Sequence, residues 1–329
     1  MTTTPAIETM ALQKRFRETE ALRGIDLRVE RGTVFGLLGP NGAGKTTTIR
    51  VLATLLRPTG GTARVLGHDV VQEAARVRAQ VSLTGQFASL DEDLTARENL
   101  VLVARLLGFG WRAARARARE LLVAFGLADV GGRQVRSFSG GMRRRLDIAA
   151  SLAKRPELLF LDEPTTGLDP RSRSQVWELV RGIAAEGTTV LLTTQYLEEA
   201  DRLAQRMAVI DDGRVIAQGS GRELKASVGS RALHVQVADP ARLAEASALL
   251  REVMQDEVHD GPEPGMLSVR VAREARVAEA LAALAARGLA VREFALVQPS
   301  LDDVFFALTG HGAEQGATGE AAAPAEVVA

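Results

Sequence analysis

Gly39-Pro40-Asn41-Gly42-Ala43-Gly44-Lys45-Thr46 fits G-x-x-x-x-G-K-[ST], the pattern of a phosphate-cradling loop. Its flanks supply the context that the pattern requires. Val34-Phe35-Gly36-Leu37-Leu38 before it is a short apolar run of buried-strand type. After it, Ile49, Leu52, Ala53 and Leu56 recur at helical spacing and predict a helix that stops at Arg57-Pro58-Thr59-Gly60-Gly61. A strand, a glycine-rich turn and a helix N-terminus together make an anion site: backbone N–H groups close on phosphate oxygens, and the helix dipole favours negative charge. Lys45 is expected to reach the β- and γ-phosphates and the Thr46 hydroxyl to ligate Mg²⁺.

A second stretch, Leu158-Leu159-Phe160-Leu161-Asp162-Glu163, reads as a buried strand with two carboxylates at its C-terminal end, where α/β sheets place ligands. Asp162 suits the hard octahedral shell of Mg²⁺. Glu163 is placed to orient or deprotonate an attacking water. Taken alone, the two acids also suit a helix N-cap. Together with the loop at 39–46 they predict phosphoryl transfer to water.

With 329 residues, 46% of them hydrophobic, the chain can hold one large domain and a smaller one. Lys+Arg and Asp+Glu both number 41, so no global basic field exists to hold a nucleic-acid backbone. The absence of cysteine excludes disulfides and thiolate metal sites. Met1-Thr2-Thr3-Thr4-Pro5 lacks the basic and apolar blocks of a signal peptide. No run approaches the roughly 18 apolar residues of a membrane span, so any spans must come from another chain.

Residues 6–36 read as β-rich, with period-2 alternation in Ile25-Asp26-Leu27-Arg28-Val29. Short strands follow around Ala63–Leu66 and Val81–Leu83, and Gln86 then sits at a strand end before a loop. Residues 94–127 look helical: Leu100, Val103, Ala104 and Leu107 form one apolar face, and Ala114, Ala118, Leu121, Leu122 and Phe125 another. Arg112, Arg115 and Arg119 share the opposite side as a solvated face. Ser137-Phe138-Ser139-Gly140-Gly141-Met142 precedes a helix expected near Arg143, which suits an anion or an ordinary N-cap. Strands at Thr188–Thr194, ending at Gln195, and at Met207–Ile210 lead to an Asp212-Gly213 hairpin turn.

From about residue 228 the texture changes to a small α+β domain. Leu233/Val235/Val237 and Leu267/Val269/Val271 alternate as strands, another strand spans Ala290–Val297, and Ser300 with Asp303 resembles a capping box. His311 to Ala329 is rich in Gly, Ala and Glu and is expected to be disordered.

In this order, the phosphate loop, Phe138-Ser139-Gly140-Gly141-Met142 and the strand-end acids resemble the ATP-binding subunit of an ABC transporter over residues 6–225. Leu83–Ser89, Ser139–Ser151, Leu192–Asp201 and Leu301–Gly310 are similar, more narrowly, to the daunorubicin/doxorubicin-resistance exporters. The resemblance implies an α/β P-loop NTPase fold of ABC type: a RecA-like core with antiparallel β and helical subdomains, plus a small C-terminal α+β domain. The implied division is an ATP-binding domain over 1–227, with its helical subdomain about 88–150, an accessory domain over 228–310 and the tail 311–329. ATP and Mg²⁺ are the implied cofactors.

The site carries over residue by residue. Phe16, otherwise an ordinary core or edge aromatic, would stack on adenine. The loop residues Gly39, Pro40, Asn41, Gly42, Ala43, Gly44, Lys45 and Thr46, with Thr47, would hold the phosphates. Gln86, otherwise a solvated loop amide, would contact nucleotide and metal beside Thr46 and Asp162. Ser139, Gly140 and Gly141 would reach the γ-phosphate across a head-to-tail homodimer, and Asp169 would lie in the loop crossing that interface. Glu163, Lys45 and Gln195 would be catalytic.

The implied partner is a multi-spanning permease, with the chain peripheral on the cytoplasmic face of the membrane, powering export of anthracyclines or a related metabolite. Other cargoes (lipid, polysaccharide, ion) fit the same engine. A soluble ABC ATPase acting on nucleic acid or ribosomes fits less well, because long coiled-coil insertions and a second ATPase half are missing. Two positions depart from the commonest pattern. Gln195 stands where most ABC ATPases have histidine, and Met142 where the signature usually has glutamine.

Overall fold

The computed structural model describes residues 4–85, 90–228, 231–261, 263–297, 301, 304 and 305. The expected capping box at Ser300 and Asp303, the tail and Gln86 lie outside the described residues.

The chain opens with β1 (Ile7–Phe16) and β2 (Thr19–Val29), paired antiparallel. Alternation buries Ile25, Leu27 and Val29 on one face of β2, as a half-covered strand requires, and a register shift before Ile25 leaves Leu22 buried as well. Next come β3 (Val34–Leu38), buried at every position, and α1 (Lys45–Leu52). α1 stops short of the expected Leu56. The helix ends at Leu52, and Thr54 turns left-handed at φ 63°. The N–H groups of Leu55 and Leu56 both return to the Arg50 carbonyl. Leu56 thereby keeps its packing against the core without being helical.

β4 (Gly60–Val65), β5 (His68–Asp69), α2 (Ala74–Gln80) and β6 (Val81–Thr84) follow. The helical segment is α3 (Ala96–Leu106), α4 (Trp111–Ala124) and α5 (Gly140–Ser151). Thr95 and Glu98 close a reciprocal capping box at the start of α3. α5 begins three residues before the expected Arg143, because the Ser139 hydroxyl accepts from the Met142 N–H and so acts as its N-cap. β7 (Leu158–Asp162), α6 (Pro170–Ala185), β8 (Thr189–Thr194), α7 (Leu197–Leu203), β9 (Arg206–Asp211), β10 (Arg214–Gly219) and α8 (Gly221–Val228) complete the first part.

Among the described residues these strands form two sheets. One is antiparallel, in the order β2-β1-β4-β5; the other is mostly parallel, in the order β10-β9-β3-β8-β7-β6. α1 and side chains from both sheets form one apolar cluster, including Phe35, Ile49, Leu52 and Phe160. A second cluster joins the other face of the parallel sheet to α3–α6 through Leu100, Leu146, Leu159 and Val180.

The remainder is β11 (Ala232–Val237), α9 (Leu243–Met254), β12 (Val258–Asp260), β13 (Met266–Arg270), α10 (Ala275–Ala286) and β14 (Val291–Val297). The strands run β12-β13-β11-β14, all antiparallel. Leu233, Val235, Leu267 and Val269 pack with Leu250, Ala280 and Leu284 of the two helices in a separate core. The chain then returns: Leu301, Val304 and Phe305 pack with Leu197, Ala200, Met207 and Leu224.

Candidate functional site

β3 and β7 are separated in the sheet by β8 alone, so the loop after β3 and the acids after β7 lie about 9–10 Å apart along the sheet. The side chains close that gap. Thr46, in the first turn of α1, donates from Oγ1 to Asp162 Oδ1 at 3.1 Å. Thr193, at the end of the intervening β8, donates to the same oxygen at 2.6 Å. Lys45 is 4% exposed and its Nζ lies 3.8 Å from Glu163 Oε1. That ammonium also donates to the carbonyls of Gly39 (2.7 Å) and Pro40 (3.0 Å). Burial pushes its pKa down, opposed by the charges of Glu163 and then Asp162.

The loop needs its glycines at two points in particular. A Cβ at Gly39 would meet the Ile210 carbonyl oxygen at 2.1 Å, and one at Gly44 the Ala21 carbonyl oxygen at 2.7 Å. Gly44 is also the N-cap of α1, at φ 106°, and offers no side-chain acceptor to the first-turn N–H groups. That turn carries no acidic residue. Uncapped donors, a positive helix end and a buried ammonium suit phosphate.

Glu163 follows β7 in the left-handed region, at φ 48°, where a residue with a Cβ must be held by its surroundings. Its N–H donates to the Thr193 carbonyl and hydroxyl, at 3.2 and 3.0 Å. Thr166 Oγ1 donates to Glu163 Oε2 at 3.2 Å, leaving Oε1 on the Lys45 side. The Asp162 carboxylate and the Thr46 hydroxyl are hard oxygens side by side, a donor pair that fits Mg²⁺.

The other sequence-predicted residues divide by location. Pro40, Asn41 and Gly42 are exposed at the crest of the loop, Thr47 is half-buried, and Gln195 is half-buried just after β8. Phe16 ends β1, 42% exposed, with Lys14 Nζ 5.0 Å from its ring centre. Ser139, Gly140 and Gly141 gather with α6: Ser172 Oγ would lie 2.4 Å from a Cβ at Gly141, and Leu168 Cδ2 3.6 Å from one at Gly140. Asp169 caps α6, accepting from the Ser172 N–H (2.9 Å) and hydroxyl (2.6 Å). The Ser172 hydroxyl, then its N–H, hold the Asp169 carboxyl below the usual range. Among the described residues no hydrogen bond joins this group to the loop and strand-end acids. Arg112, Arg115 and Arg119 are exposed.

Sequence reasoning missed Thr193 and Glu199. The first hides in a run of threonines whose alternation says nothing of its hydroxyl. Glu199 of α7 is fully buried and accepts from Trp177 Nε1 at 3.1 Å. Burial pushes its carboxyl up from 4.5, against the Trp177 hydrogen bond and the Arg144 charge. The folded chain thus holds that proton above pH 4.5, where the unfolded chain has released it, so stability falls as pH rises through that window. Glu199→Gln, neutral throughout, is expected to remove this fall. Urea midpoints at pH 5 and pH 7 check it: the variant-minus-parent difference should grow with pH, and a constant difference would contradict the assignment.

A buried parallel strand, a glycine loop on an uncapped helix and paired strand-end acids are the parts of a P-loop nucleotide-hydrolysing site. Comparison with known proteins agrees. A family model described as ABC transporter matches residues 22–166, and one described as the C-terminal domain of DrrA1-3-like ATP-binding proteins matches 219–309. The daunorubicin/doxorubicin resistance ATP-binding protein DrrA of Streptomyces peucetius is 57% identical over 97% of each chain. The doxorubicin resistance ATP-binding protein DrrA of Mycobacterium tuberculosis is 46% identical over 88% of each, and a Nod factor export ATP-binding protein of Burkholderia pseudomallei is 38% identical over 92% of this chain and 97% of its own. Among solved structures, an ATP-binding subunit of an ABC transporter superposes with TM-score 0.61 at 29% identity, covering 68% of this chain and 93% of that one. The chain belongs to the daunorubicin/doxorubicin-resistance family of ABC transporter ATP-binding proteins. It is an ATPase by family, and among its described residues no helix is long and apolar enough to cross a membrane.

Proposed function

We propose that the chain hydrolyses ATP to power a separate multi-spanning permease that exports anthracyclines or a related metabolite. One observation carries the engine: Lys45, Thr46, Asp162 and Glu163 converge within hydrogen-bond or ion-pair distance. The identity of 57% over nearly the full length of a daunorubicin/doxorubicin resistance protein supports the cargo.

ATP lies with its phosphates on the loop amides of 39–46 and the first turn at Thr47, and its adenine against Phe16. Thr46 and Asp162 would hold Mg²⁺, which supplies charge neutralisation of the phosphates when bound, and the family resemblance assigns Gln86 to the same ion. The attacking water donates to Glu163 Oε1, the oxygen not engaged by Thr166. As the new O–P bond forms and the β–γ bridge breaks, the water's proton passes to Glu163 and ADP leaves with the bridging oxygen. Lys45 stabilises the charge gathering on the γ-phosphoryl oxygens. Gln195 hydrogen-bonds that group or the water.

The exposure of Ser139 and Gly140, apart from the loop of the same chain, fits a head-to-tail homodimer in which Ser139, Gly140 and Gly141 contact the partner's ATP and Asp169 lies at the interface. ATP closes such a dimer and hydrolysis reopens it, and the permease reads the difference. The chain then sits peripherally at the cytoplasmic face. Residues 1–227 form the engine, with 228–310 as an accessory unit, and nucleic acid is not a partner. Glutamine cannot take up charge near neutrality as histidine does. The ATPase pH profile is therefore expected to keep every ionisation in Gln195→Ala; loss of one near pH 6–7 would contradict the role given to this residue.

A drug-stimulated rate tests the cargo. Vesicles carrying the chain and its permease should hydrolyse ATP faster when doxorubicin is added. The 38% identity to a Nod factor export protein favours a different exported molecule as the second reading; a rate indifferent to anthracyclines would support it.

A further inference from the structure

Arg144 lies on the first turns of α5, the helix that carries Ser139, Gly140 and Gly141 at its start. Its neighbours in the arginine triplet are occupied elsewhere: Arg143 pairs with Glu92 and the Arg136 carbonyl, and Arg145 donates to the Phe125 carbonyl. Arg144 turns inward, its side chain 11% exposed against 36% for Arg143. Its Nε donates to the Pro164 carbonyl at 2.9 Å and its Nη2 to the Asp162 carbonyl at 3.1 Å. The remaining nitrogen, Nη1, donates to the Gly85 carbonyl at 2.9 Å and to Asp147 Oδ2 at 3.3 Å. Asp147, itself buried, supplies the counter-charge that a desolvated guanidinium requires.

Asp162 and Pro164 flank Glu163. One planar fork therefore grips the backbone on both sides of the residue that carries the strained φ of 48°. It also grips Gly85, the residue before Gln86. A guanidinium delivers several donors in fixed directions; a lysine ammonium on the same stem is a single point. A left-handed residue stays in place only where its surroundings over-determine it. Here the N–H of Glu163 is fixed by Thr193 and the adjoining carbonyls by Arg144.

We propose that Arg144 is a positioning residue for hydrolysis. It holds the backbone either side of Glu163 so that the carboxylate meets the attacking water, and it fastens the helix bearing Ser139–Gly141 to the hydrolytic half-site of the same chain. The proposal rests on the reading that Glu163 activates water.

A double-mutant cycle tests it, with the full chain and ATP–Mg²⁺. Arg144→Gln and Arg144→Lys are made in the parent and in Glu163→Gln. Single-turnover rate, ATP affinity and melting temperature are measured for each. Displacing a reacting group by about 1 Å costs on the order of 10²-fold, so Arg144→Gln is expected to lower the rate by about 10–100-fold. ATP affinity should stay within about threefold, because the phosphate loop is untouched. Arg144→Lys should recover part of the rate. In the Glu163→Gln background the residual rate should change by less than about twofold, since the group being positioned has lost its basicity. The same loss in both backgrounds would overturn the proposal, as would ATP affinity falling in step with melting temperature. A parental rate in Glu163→Gln alone would instead overturn the role of Glu163, a result separable from the behaviour of Arg144.

Discussion

Glu163→Gln is expected to lower steady-state ATP hydrolysis by about 10²–10⁴-fold, the range for removing a general base, while ATP still binds. The exchange is close to isosteric. A glutamine oxygen can still accept from Thr166 Oγ1, as Glu163 Oε2 does at 3.2 Å, and the backbone bonds to Thr193 do not involve the side chain. What disappears is the carboxylate's capacity to take the water's proton and its charge beside Lys45, 3.8 Å away. ATP that binds and is not cleaved should hold two chains together. Sedimentation with ATP is therefore expected to show a larger dimer fraction in the variant than in the parent. Turnover at the parental rate would remove Glu163 from the chemistry, and slow turnover without dimers would remove the homodimer.

Lys45→Ala is expected to be as damaging, but in a different way. Its ammonium is buried, bonded to the Gly39 and Pro40 carbonyls and facing both strand-end acids. Removing it takes away a charge that both bound phosphate and transition state use, so the apparent affinity for ATP and the turnover should fall together. A preorganised donor of this kind accounts for about 10²–10³-fold in turnover. It also leaves Asp162 and Glu163 facing each other's charge without a cation between them. The check is kcat and KM for ATP beside a melting curve. A loss confined to KM would mean that Lys45 stabilises bound ATP and the transition state equally.

Much of this site was legible before the fold. The loop at 39–46 and the acids after Leu161 announce themselves because both lie directly at the ends of short apolar strands, and the parallel sheet brings such ends to one edge. What was illegible depended on contacts distant in sequence. Nothing in Thr188–Thr194 says that its strand lies between β3 and β7, yet that order makes Thr193 a partner of Asp162. The helical spacing of Ile49, Leu52, Ala53 and Leu56 overran α1 because burial, which the spacing reports, continues past Leu52 in a left-handed turn at Thr54. Arg144 was hidden inside Arg143-Arg144-Arg145, where three identical residues in a row give no sign of which one packs against the backbone around Glu163. Glu199 sits in Leu197-Glu198-Glu199, and only one of those two acids is exposed.

Intracellular anthracycline accumulation in a sensitive bacterium is the most direct test of the whole account. The chain is expressed with the proposed multi-spanning permease, as the parent and as Glu163→Gln. Lower drug accumulation with the parent pair, lost with the Glu163→Gln pair, is the predicted result. Equal accumulation in both, with the purified parent still hydrolysing ATP, would contradict anthracycline export and leave an ATPase that drives another cargo.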